Sequence, residues 1–158
     1  FDLHDIARSS LTFGISKYYV VNPIEAQRKF ARRIIGCWED IKSFEFNPTR
    51  AEAFSILKLV GGLEDVINDI KRDTGKSPKV IATSAKPMGQ VTYKELSSQI
   101  EKSKDAYLIL FGTGWGLTKE AIKSADMILE PISGRSNYRH LSVRSAVAIV
   151  LDRLFGKR

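Results

Sequence analysis

Three glycines stand at alternate positions directly after an apolar run in the second half of the sequence. The run spans residues 106–111, and Gly112, Gly114 and Gly116 follow it. Glycine permits positive φ angles and lets a ligand approach main-chain N–H and C=O groups closely. Because a helix is predicted from residue 117, the pattern indicates a loop at a strand end, where a ligand contacts the backbone.

The glycine pattern is also partly compatible with a dinucleotide site. Dinucleotide-binding folds carry a G-x-G-x-x-G fingerprint, and Glu130 lies at about the spacing expected for the ribose-binding acid. Leu117, however, occupies the place of the third glycine, and the loop follows a late strand rather than the first. Both departures count against a nicotinamide-dependent oxidoreductase. A tight strand-to-helix turn without any ligand is the simpler alternative.

A polar segment over residues 133–144 is the second place where the sequence could do chemistry. Its side chains can hold a phosphate, a ribose or a reacting hydroxyl: Arg135, Asn137, Tyr138, Arg139, His140, Ser142 and Arg144. The segment also opens the last predicted helix, whose exposed N–H groups favour anions. A solvated loop would have a similar composition, but Asn137 and Ser142 are short polar residues that position ligands well.

The charge balance favours a polyanionic partner. The 158 residues include 25 Lys and Arg against 18 Asp and Glu, which gives a net charge of +7. Nucleic acid is the class of partner that such a surplus favours, although the charge also serves solubility. A row of cations on one predicted helix is either an RNA contact or a solvated face: Arg28, Lys29, Arg32 and Arg33.

Several other kinds of chemistry have no support in the sequence. Cys37 is the single cysteine, and together with two histidines it offers no plausible zinc set. The sequence contains no P-loop and no G-x-S-x-G motif. The apolar run over 146–151 is too short to cross a bilayer, and no signal-peptide pattern opens the sequence. We therefore expect one domain, without a metal, in the cytoplasm.

Helices and strands are predicted to alternate along the chain. Helices are expected at 2–13, 22–38, from 47 onward, and at 63–73, 92–102, 117–124 and 142–155. Strands are expected at 17–21, 79–83, 106–111 and 127–132, and 56–60 is either a strand or the end of a helix. This order predicts an α/β fold with a mostly parallel sheet flanked by helices.

The ends of the predicted strands are where a ligand is expected. The strand at 106–111 shows no polar alternation, so both of its faces are expected to be buried. In parallel α/β sheets ligands bind outside the carboxyl ends of the strands. Three segments stand at such ends, and they are 83–85, 112–116 and 130–134.

Three blocks of the sequence resemble the SPOUT class of S-adenosylmethionine-dependent RNA methyltransferases. Residues 2–14, DLHDIARSSLTFG, are similar to its first motif, a helix with an arginine followed by a small pair and F-G. Residues 108–116 are similar to the second, an apolar strand ending in a glycine-containing loop. Residues 128–151 are similar to the third and carry its L-S-V-x-x-A-x-A-I helix. The likeness is strongest to an uncharacterised bacterial branch, sometimes joined to a tRNA guanine-N1 methyltransferase.

The resemblance implies a single SPOUT-like domain over residues 1–158, with its first strand upstream of residue 1. The C-terminal loop and helix would thread through an earlier loop as a deep trefoil knot, and the knot would form the cofactor cleft. S-adenosylmethionine would be the cofactor. Its expected contacts are Thr83, Ser84, Ala85, Leu110, Phe111, Gly112, Thr113, Gly114, Gly116, Leu129, Glu130, Pro131, Ile132, His140, Leu141, Ser142 and Val143.

The resemblance also implies catalytic and RNA-binding roles. Arg8 would contact RNA phosphate or stabilise the deprotonated acceptor. Asn137 and Ser142 would position that acceptor, and His140 would act as a base. The acceptor would be a tRNA or an rRNA, and the first and last helices would pair in a homodimer. The expected RNA-binding set is Arg8, Arg28, Arg32, Arg33, Arg135, Arg139 and Arg144.

Two residues depart from the ribose methyltransferases of this class. Asp2 stands where they have an asparagine ahead of the first-motif arginine, or that asparagine lies just before Phe1, and His140 stands where they have an asparagine before the serine. The choice between base and 2′-O-ribose methylation therefore stays open. A non-catalytic RNA-binding module of the same fold is the alternative function. Calorimetry with S-adenosylmethionine separates the two, because such a module would bind the cofactor weakly.

Overall fold

The computed structural model describes residues 2–39 and 47–157. Its helices in these ranges are α1 (Asp2–Thr12), α2 (Glu25–Glu39), α3 (Pro48–Ser55), α4 (Leu63–Thr74), α5 (Tyr93–Lys102), α6 (Lys119–Lys123) and α7 (Val143–Phe155). Its strands are β1 (Tyr18–Val21), β2 (Leu57–Val60), β3 (Lys79–Ala82), β4 (Tyr107–Leu110) and β5 (Met127–Ile128). These strands pair in parallel, which confirms the predicted α/β class.

The described residues form two compact units that divide after Asp69. In the first unit β1 and β2 pair in parallel, with Tyr18 opposite Leu57 and Val21 opposite Val60. Its core contains Ile35, Phe54 and Leu57, and partly buried side chains pack around them: Leu3, Tyr18, Val20, Trp38 and Leu59. Helices α1 and α2 both contact α3 in this unit.

One carboxylate joins three elements of the first unit. An Asp69 oxygen in α4 accepts hydrogen bonds from Lys58 at 2.8 Å, Tyr19 at 2.5 Å and Lys17 at 3.0 Å. These donors hold the pKa of Asp69 well below its usual range, because they favour the charged carboxylate. The contact therefore ties α4 to β2, to β1 and to the residue before β1.

The second unit is built on a three-stranded parallel sheet in the order β4-β3-β5. Lys79 lies opposite Tyr107, and Ala82 lies opposite both Leu110 and Ile128. A core on this sheet holds buried side chains from β3, α5 and α7, and from the loops: Ile81, Val91, Tyr93, Leu96, Leu129, Val150 and Leu154.

The expectation that the strand at 106–111 is buried on both faces is wrong. All four residues of β4 are only partly buried, whereas Val80, Ile81 and Ala82 of β3 are buried. The physical reason is the strand order, because β3 lies between its two partners and β4 lies at the end of the row. Apolar composition alone does not distinguish a central strand from an outer one.

Element ends are predicted best where a capping side chain marks them. The Thr92 hydroxyl accepts from the Glu95 N–H, and the Glu95 carboxylate accepts from the Thr92 N–H, so a capping box begins α5 where the helix is predicted to start. Ser142 caps α7 and Asn47 caps α3, again at the residues where these helices are predicted to start. The last predicted strand is too long, because β5 ends at Ile128 and the next residue makes only an isolated bridge to Val91.

The first turn of α2 lies later than predicted. Asn22 and Pro23 are expected to begin this helix, but its first residue is Glu25. The Asn22 side chain instead accepts a hydrogen bond from the Ile24 N–H at 2.9 Å. An asparagine that bonds the backbone two residues on forms a turn, and this turn separates β1 from α2.

Candidate functional site

The register of the sheet brings the three glycine-containing or polar strand ends to one edge. Ala82, Leu110 and Ile128 are matched positions of β3, β4 and β5. The segments that follow them therefore leave the sheet side by side, as expected for a parallel sheet. This edge is the candidate functional site of the second unit.

The segment after β3 is tied to the end of β4. The Thr83 hydroxyl donates to the Leu110 carbonyl at 2.7 Å, and the Thr83 N–H donates to the same oxygen at 3.2 Å. Ser84 accepts from the Lys86 N–H at 3.1 Å, which turns the chain away from the sheet, and Ala85 is exposed. The predicted cofactor residues of this segment are thus held by local hydrogen bonds.

The glycine loop after β4 folds tightly on itself. A Cβ atom at Gly112 would collide with the Gly116 carbonyl carbon and the Leu117 amide nitrogen. The Gly116 N–H donates to the Thr113 carbonyl at 3.0 Å, which closes a turn. Gly114 and Gly116 have φ angles of 56° and 90°, in the left-handed region that favours glycine. The close approach at Gly112 and the φ angles of Gly114 and Gly116 therefore account for all three glycines without any ligand.

Open space nevertheless lies beside two of these glycines. Apart from the adjacent residues in the chain, no atom of residues 2–39 and 47–157 lies within 4 Å of the position that a Cβ would take at Gly114 or at Gly116. Thr113, Gly114 and Gly116 are all exposed. The loop therefore presents main chain that a ligand can approach, which is the property predicted from the sequence.

The segment after β5 is held against residues that sequence reasoning missed. The Glu130 N–H donates to the Val91 carbonyl at 2.9 Å, and the Gln90 N–H donates to the Ile128 carbonyl at 2.7 Å. A Cβ at Gly89 would lie 2.5 Å from the Glu130 Cα. Gly89 therefore permits the close approach, and nothing in the sequence around it indicates this long-range contact.

Several predicted cofactor residues have side chains engaged elsewhere. Leu129 is buried in the core, and Phe111 and Ile132 pack against that core. The Glu130 carboxylate accepts from the Tyr93 N–H at 2.7 Å, at the start of α5. Leu110, Pro131 and Val143 are partly buried. A ligand at this edge would meet such residues chiefly through their main-chain atoms.

The polar segment before α7 is largely exposed. Tyr138 lies against His140 with ring centroids 5.6 Å apart, and both residues are exposed, as are Asn137 and Leu141. The Ser142 hydroxyl interacts with the Ser145 hydroxyl at 2.8 Å and accepts from the Ser145 N–H at 3.4 Å. Ser142 therefore caps α7, and its hydroxyl can make one further hydrogen bond.

The predicted RNA-binding arginines differ in exposure. Arg8 is exposed on α1, and Arg32 and Arg33 are exposed on α2. Arg28 is half-buried instead, and its guanidinium donates to the Asn22 carbonyl at 2.5 Å. In the second unit Arg135 and Arg144 are exposed and Arg139 is half-buried. The three arginines of α2 thus separate into one that holds a turn and two that face solvent.

Membrane insertion through a helix finds no support in this fold. Over residues 2–39 and 47–157, none of the helices combines the length and the apolar composition that spanning a bilayer requires.

A parallel α/β sheet with its loops gathered at the carboxyl edge is the scaffold of many cofactor-dependent enzymes. The sequence model of the S-adenosylmethionine-dependent RNA methyltransferases matches residues 1–156. The chain therefore belongs to this family, which confirms the predicted enzyme class and its cofactor. The nicotinamide-dependent alternative is thereby set aside.

Known relatives agree with this assignment. The chain is 43% identical over 157 residues to an uncharacterised protein of Aquifex aeolicus, covering 99% of this chain and 77% of that protein. It is 41% identical over 155 residues to a tRNA (guanine-N(1)-)-methyltransferase of Nitratidesulfovibrio vulgaris. That match covers 98% of this chain but only 36% of the relative, so the chain spans about a third of that enzyme.

The fold is shared with a solved structure of the SpoU methyltransferases. The AviRb enzyme of Streptomyces viridochromogenes, solved in complex with AdoMet, superposes with a TM-score of 0.61 at 16% sequence identity. The superposition covers 98% of this chain and 54% of that one. The likeness confirms the SPOUT-type α/β fold that the sequence predicted.

Proposed function

We propose that S-adenosylmethionine binds at the carboxyl edge of β3, β4 and β5, and that this chain methylates an RNA acceptor there. The observation that carries the proposal is the exposed main chain at Gly114 and Gly116, where a side chain is absent and no described residue other than the chain neighbours occupies the position of a Cβ. A flat or bent cofactor can approach such backbone closely. The site thus fits the cofactor on which the family depends.

The proposed cofactor contacts are those that the resemblance implies. Thr83, Ser84 and Ala85 would line one side, and residues 110–114 with Gly116 would line another. Residues 129–132 and 140–143 would complete the pocket. The side chains of Phe111, Leu129 and Ile132 lie in or against the core, so these residues would contribute carbonyl and N–H groups. This division is typical of sites in which the backbone recognises the ligand.

The chemistry required of the protein is alignment and the removal of one proton. When bound, S-adenosylmethionine supplies a methyl group activated by its sulfonium. Asn137 and Ser142 would hold the acceptor in line, which is where most of the rate gain arises in such a displacement. His140 would take the proton that the acceptor loses as its new bond forms. Arg8 would stabilise the negative charge that develops on the acceptor.

The proposed substrate is a tRNA or an rRNA. The net charge of +7 supports a polyanionic partner. Exposed Arg8, Arg32, Arg33, Arg135 and Arg144 supply side chains that can contact phosphate. Because Arg28 and Arg139 are half-buried, we rank them below the exposed arginines as phosphate contacts. Both base and 2′-O-ribose methylation are compatible with this set.

The experiment that tests the activity is a comparison of RNA from wild-type and deletion strains. Mapping of methylated nucleosides by mass spectrometry should find one modification that is lost on deletion and restored by the purified chain with S-adenosylmethionine. Calorimetry should show cofactor binding to the chain alone. A chain that binds no cofactor would instead favour the non-catalytic RNA-binding module.

Three larger features are proposed on the resemblance. The first is a deep trefoil knot formed by residues 129–155 within a single SPOUT-like domain, and a crystal structure that traces this path tests it. The second is a location in the cytoplasm, which fits the single cysteine and is tested by fractionation.

The third feature is a homodimer formed through α1 and α7. Ala146, Ala148 and Ile149 of α7 are only partly buried within this chain, so they leave apolar surface for a partner. Two-fold dimers are the commonest oligomers. Light scattering at micromolar concentration should give about twice the mass of one chain, and a monomer under these conditions would contradict the proposal.

A further inference from the structure

Trp115 has an unusual position for a large apolar side chain. It lies in the turn from Thr113 to Gly116, between two glycines with left-handed φ angles. Its side chain is fully exposed, at 106% of the reference area, against 74% for Tyr138 and 65% for Phe30. The turn thus projects an indole into solvent without covering it.

The surroundings of this indole leave room for a flat partner. Gly114 and Gly116, the chain neighbours of Trp115, have no side chain, and apart from their own chain neighbours no atom of the described residues lies within 4 Å of where a Cβ would stand at either. The turn also follows directly from the end of β4, at the edge where the methyl donor is proposed to bind. Whatever stacks on the indole would therefore lie beside the reacting groups.

We propose that Trp115 is a stacking platform for an unpaired nucleobase of the RNA substrate, and this inference rests on the proposed function. An indole offers a wide π-face to a base, and such stacking tolerates any sequence. A small ligand in a pocket is normally enclosed on most of its surface. A side chain that is fully in solvent instead fits a macromolecule that arrives from outside.

A second exposed aromatic supports the same partner. Tyr138 lies in the segment after β5, edge-on to His140, and the same segment carries Arg135, Arg139 and Arg144. Aromatic side chains interleaved with cations are typical of proteins that bind single-stranded nucleic acid. The exposed indole and the exposed Tyr138 ring thus both lie on loops that follow the strands of this sheet.

Tryptophan fluorescence reports on this inference directly. The chain contains two tryptophans, and Trp38 is stacked on Phe54 with ring centroids 6.4 Å apart. Trp38→Phe keeps an aromatic ring at that position and leaves Trp115 as the single fluorophore. We would titrate this variant with S-adenosylmethionine alone, with a short single-stranded oligoadenylate, and with the same oligonucleotide in a duplex.

The single-stranded RNA should quench the Trp115 emission strongly, and the cofactor alone should leave it nearly unchanged. Quenching by the cofactor with no further change on adding RNA would show that the donor covers the indole, which overturns the inference. Equal quenching by the duplex, or no response to any of the three, would also overturn it.

Substitutions give a second measurement. Trp115→Ala should weaken binding of the single-stranded RNA by about five- to a hundredfold, and Trp115→Phe should recover most of that loss, because stacking of one base is of this size. The salt dependence of binding should stay the same, since an indole carries no charge. Unchanged affinity in Trp115→Ala would overturn the proposal.

The failure of this inference is distinguishable from failure of the proposed function. If the wild-type chain binds both cofactor and RNA by calorimetry but the Trp115 fluorescence does not change, the methyltransferase proposal stands. Only the stacking role of Trp115 is then contradicted. If the wild-type chain binds neither cofactor nor RNA, the proposed function and the stacking role are both contradicted.

Discussion

Gly112 lies where the loop after β4 folds back on its own backbone, and it differs in this from the two glycines that follow. At Gly112 a side chain would collide with main-chain atoms of Gly116 and Leu117. At Gly114 and Gly116 the space is open and the φ angle is the constraint. A substitution at Gly112 would therefore disrupt the loop itself. Only substitutions at Gly114 or Gly116 test the proposed pocket.

Gly114→Val should weaken cofactor binding. Valine in left-handed backbone costs about 1–2 kcal/mol, and its side chain would enter the space proposed for the donor. We expect the affinity for S-adenosylmethionine to fall by at least about tenfold, measured by calorimetry on protein whose fold is checked by circular dichroism. Gly75→Val is the matched control, because Gly75 also has a left-handed φ angle, of 73°, but follows α4 and lies outside the segments proposed to bind the cofactor. A folded Gly114→Val that binds the cofactor like wild type would place the pocket elsewhere.

His4 couples stability of the first unit to pH. Its ring lies edge-on to Phe54 at 4.7 Å and to Trp38 at 5.7 Å, and its Nδ1 is buried without a hydrogen-bond partner among the described residues. Burial lowers the pKa of His4, and the positive charge of Arg50 lowers it further. Arg8 acts in the same direction and Asp5 opposes it. The folded protein therefore holds His4 neutral.

Acidification should destabilise the protein through this residue. Because the folded pKa lies below the unfolded value of about 6.5, the unfolded chain takes up the proton first as the pH falls. The stability that depends on neutral His4 is present above about pH 6.5 and is lost as the pH falls towards the folded pKa. Urea unfolding between about pH 7.5 and 5.5 should show this loss in wild type. His4→Phe should show a smaller loss, and equal slopes in the two proteins would contradict the assignment.

At the scale of helices and strands, the sequence predicted what local chemistry determines. Thr92 with Glu95, Asn47 with Pro48, and Ser142 each place a helix start correctly because the capping contact is local. Which strand is central in the sheet was not predicted, because the burial of β3 depends on neighbouring strands that are distant in sequence. The predicted end of β5 was wrong for the same reason, since Leu129 forms an isolated bridge with Val91 outside the named strands.

The candidate site divides along the same line. The three strand ends could be predicted, because parallel strands place their carboxyl ends at one edge. The glycine pattern at 112–116 indicated exposed backbone, and the structure has it. The contact of Gly89 with Glu130, and the half-buried state of Arg28, could not be predicted. Both features depend on tertiary contacts that the spacing of residues in the sequence does not indicate.

Helix α2 contains a glycine that its structure does not need. Gly36 is exposed within α2, and outside its own helix no atom of the described residues lies within 4 Å of a Cβ position there. Gly36→Ala should stabilise the protein by about 0.5–1 kcal/mol, because alanine loses less backbone entropy on folding. At about 2–4 °C per kcal/mol for a chain of this length, calorimetry should detect a higher melting temperature.

The same substitution at a helix end provides the control for Gly36. Gly14 follows α1 with a φ angle of 74°, so Gly14→Ala should lower the melting temperature. If both variants shift the transition in the same direction, backbone conformation is not what separates them, and the interpretation of α2 fails.

For the molecule as a whole, the charge surplus determines how RNA should bind. Cations are spread over α1, α2 and the segment before α7, and the exposed ones include Arg8, Arg33 and Arg135. Each phosphate contact releases counterions, so affinity should fall steeply with salt. Binding that ignores salt would therefore exclude RNA as the partner, whatever the cofactor does.

Substitution of Arg33 should mainly affect RNA binding, whereas substitution of Arg8 should mainly affect turnover. Arg33→Ala should weaken RNA binding and reduce the salt slope by about 0.7, the value for one phosphate contact on a single strand, with turnover at saturating RNA little changed. Arg8→Ala should lower turnover by about ten- to a thousandfold with a smaller effect on binding, because Arg8 is proposed to stabilise charge that develops only during the reaction. Lys104→Ala removes an exposed cation outside the proposed RNA surface and is the control. Full turnover by Arg8→Ala on the RNA identified by nucleoside mapping would remove Arg8 from the catalytic set, and the first motif would then serve binding alone.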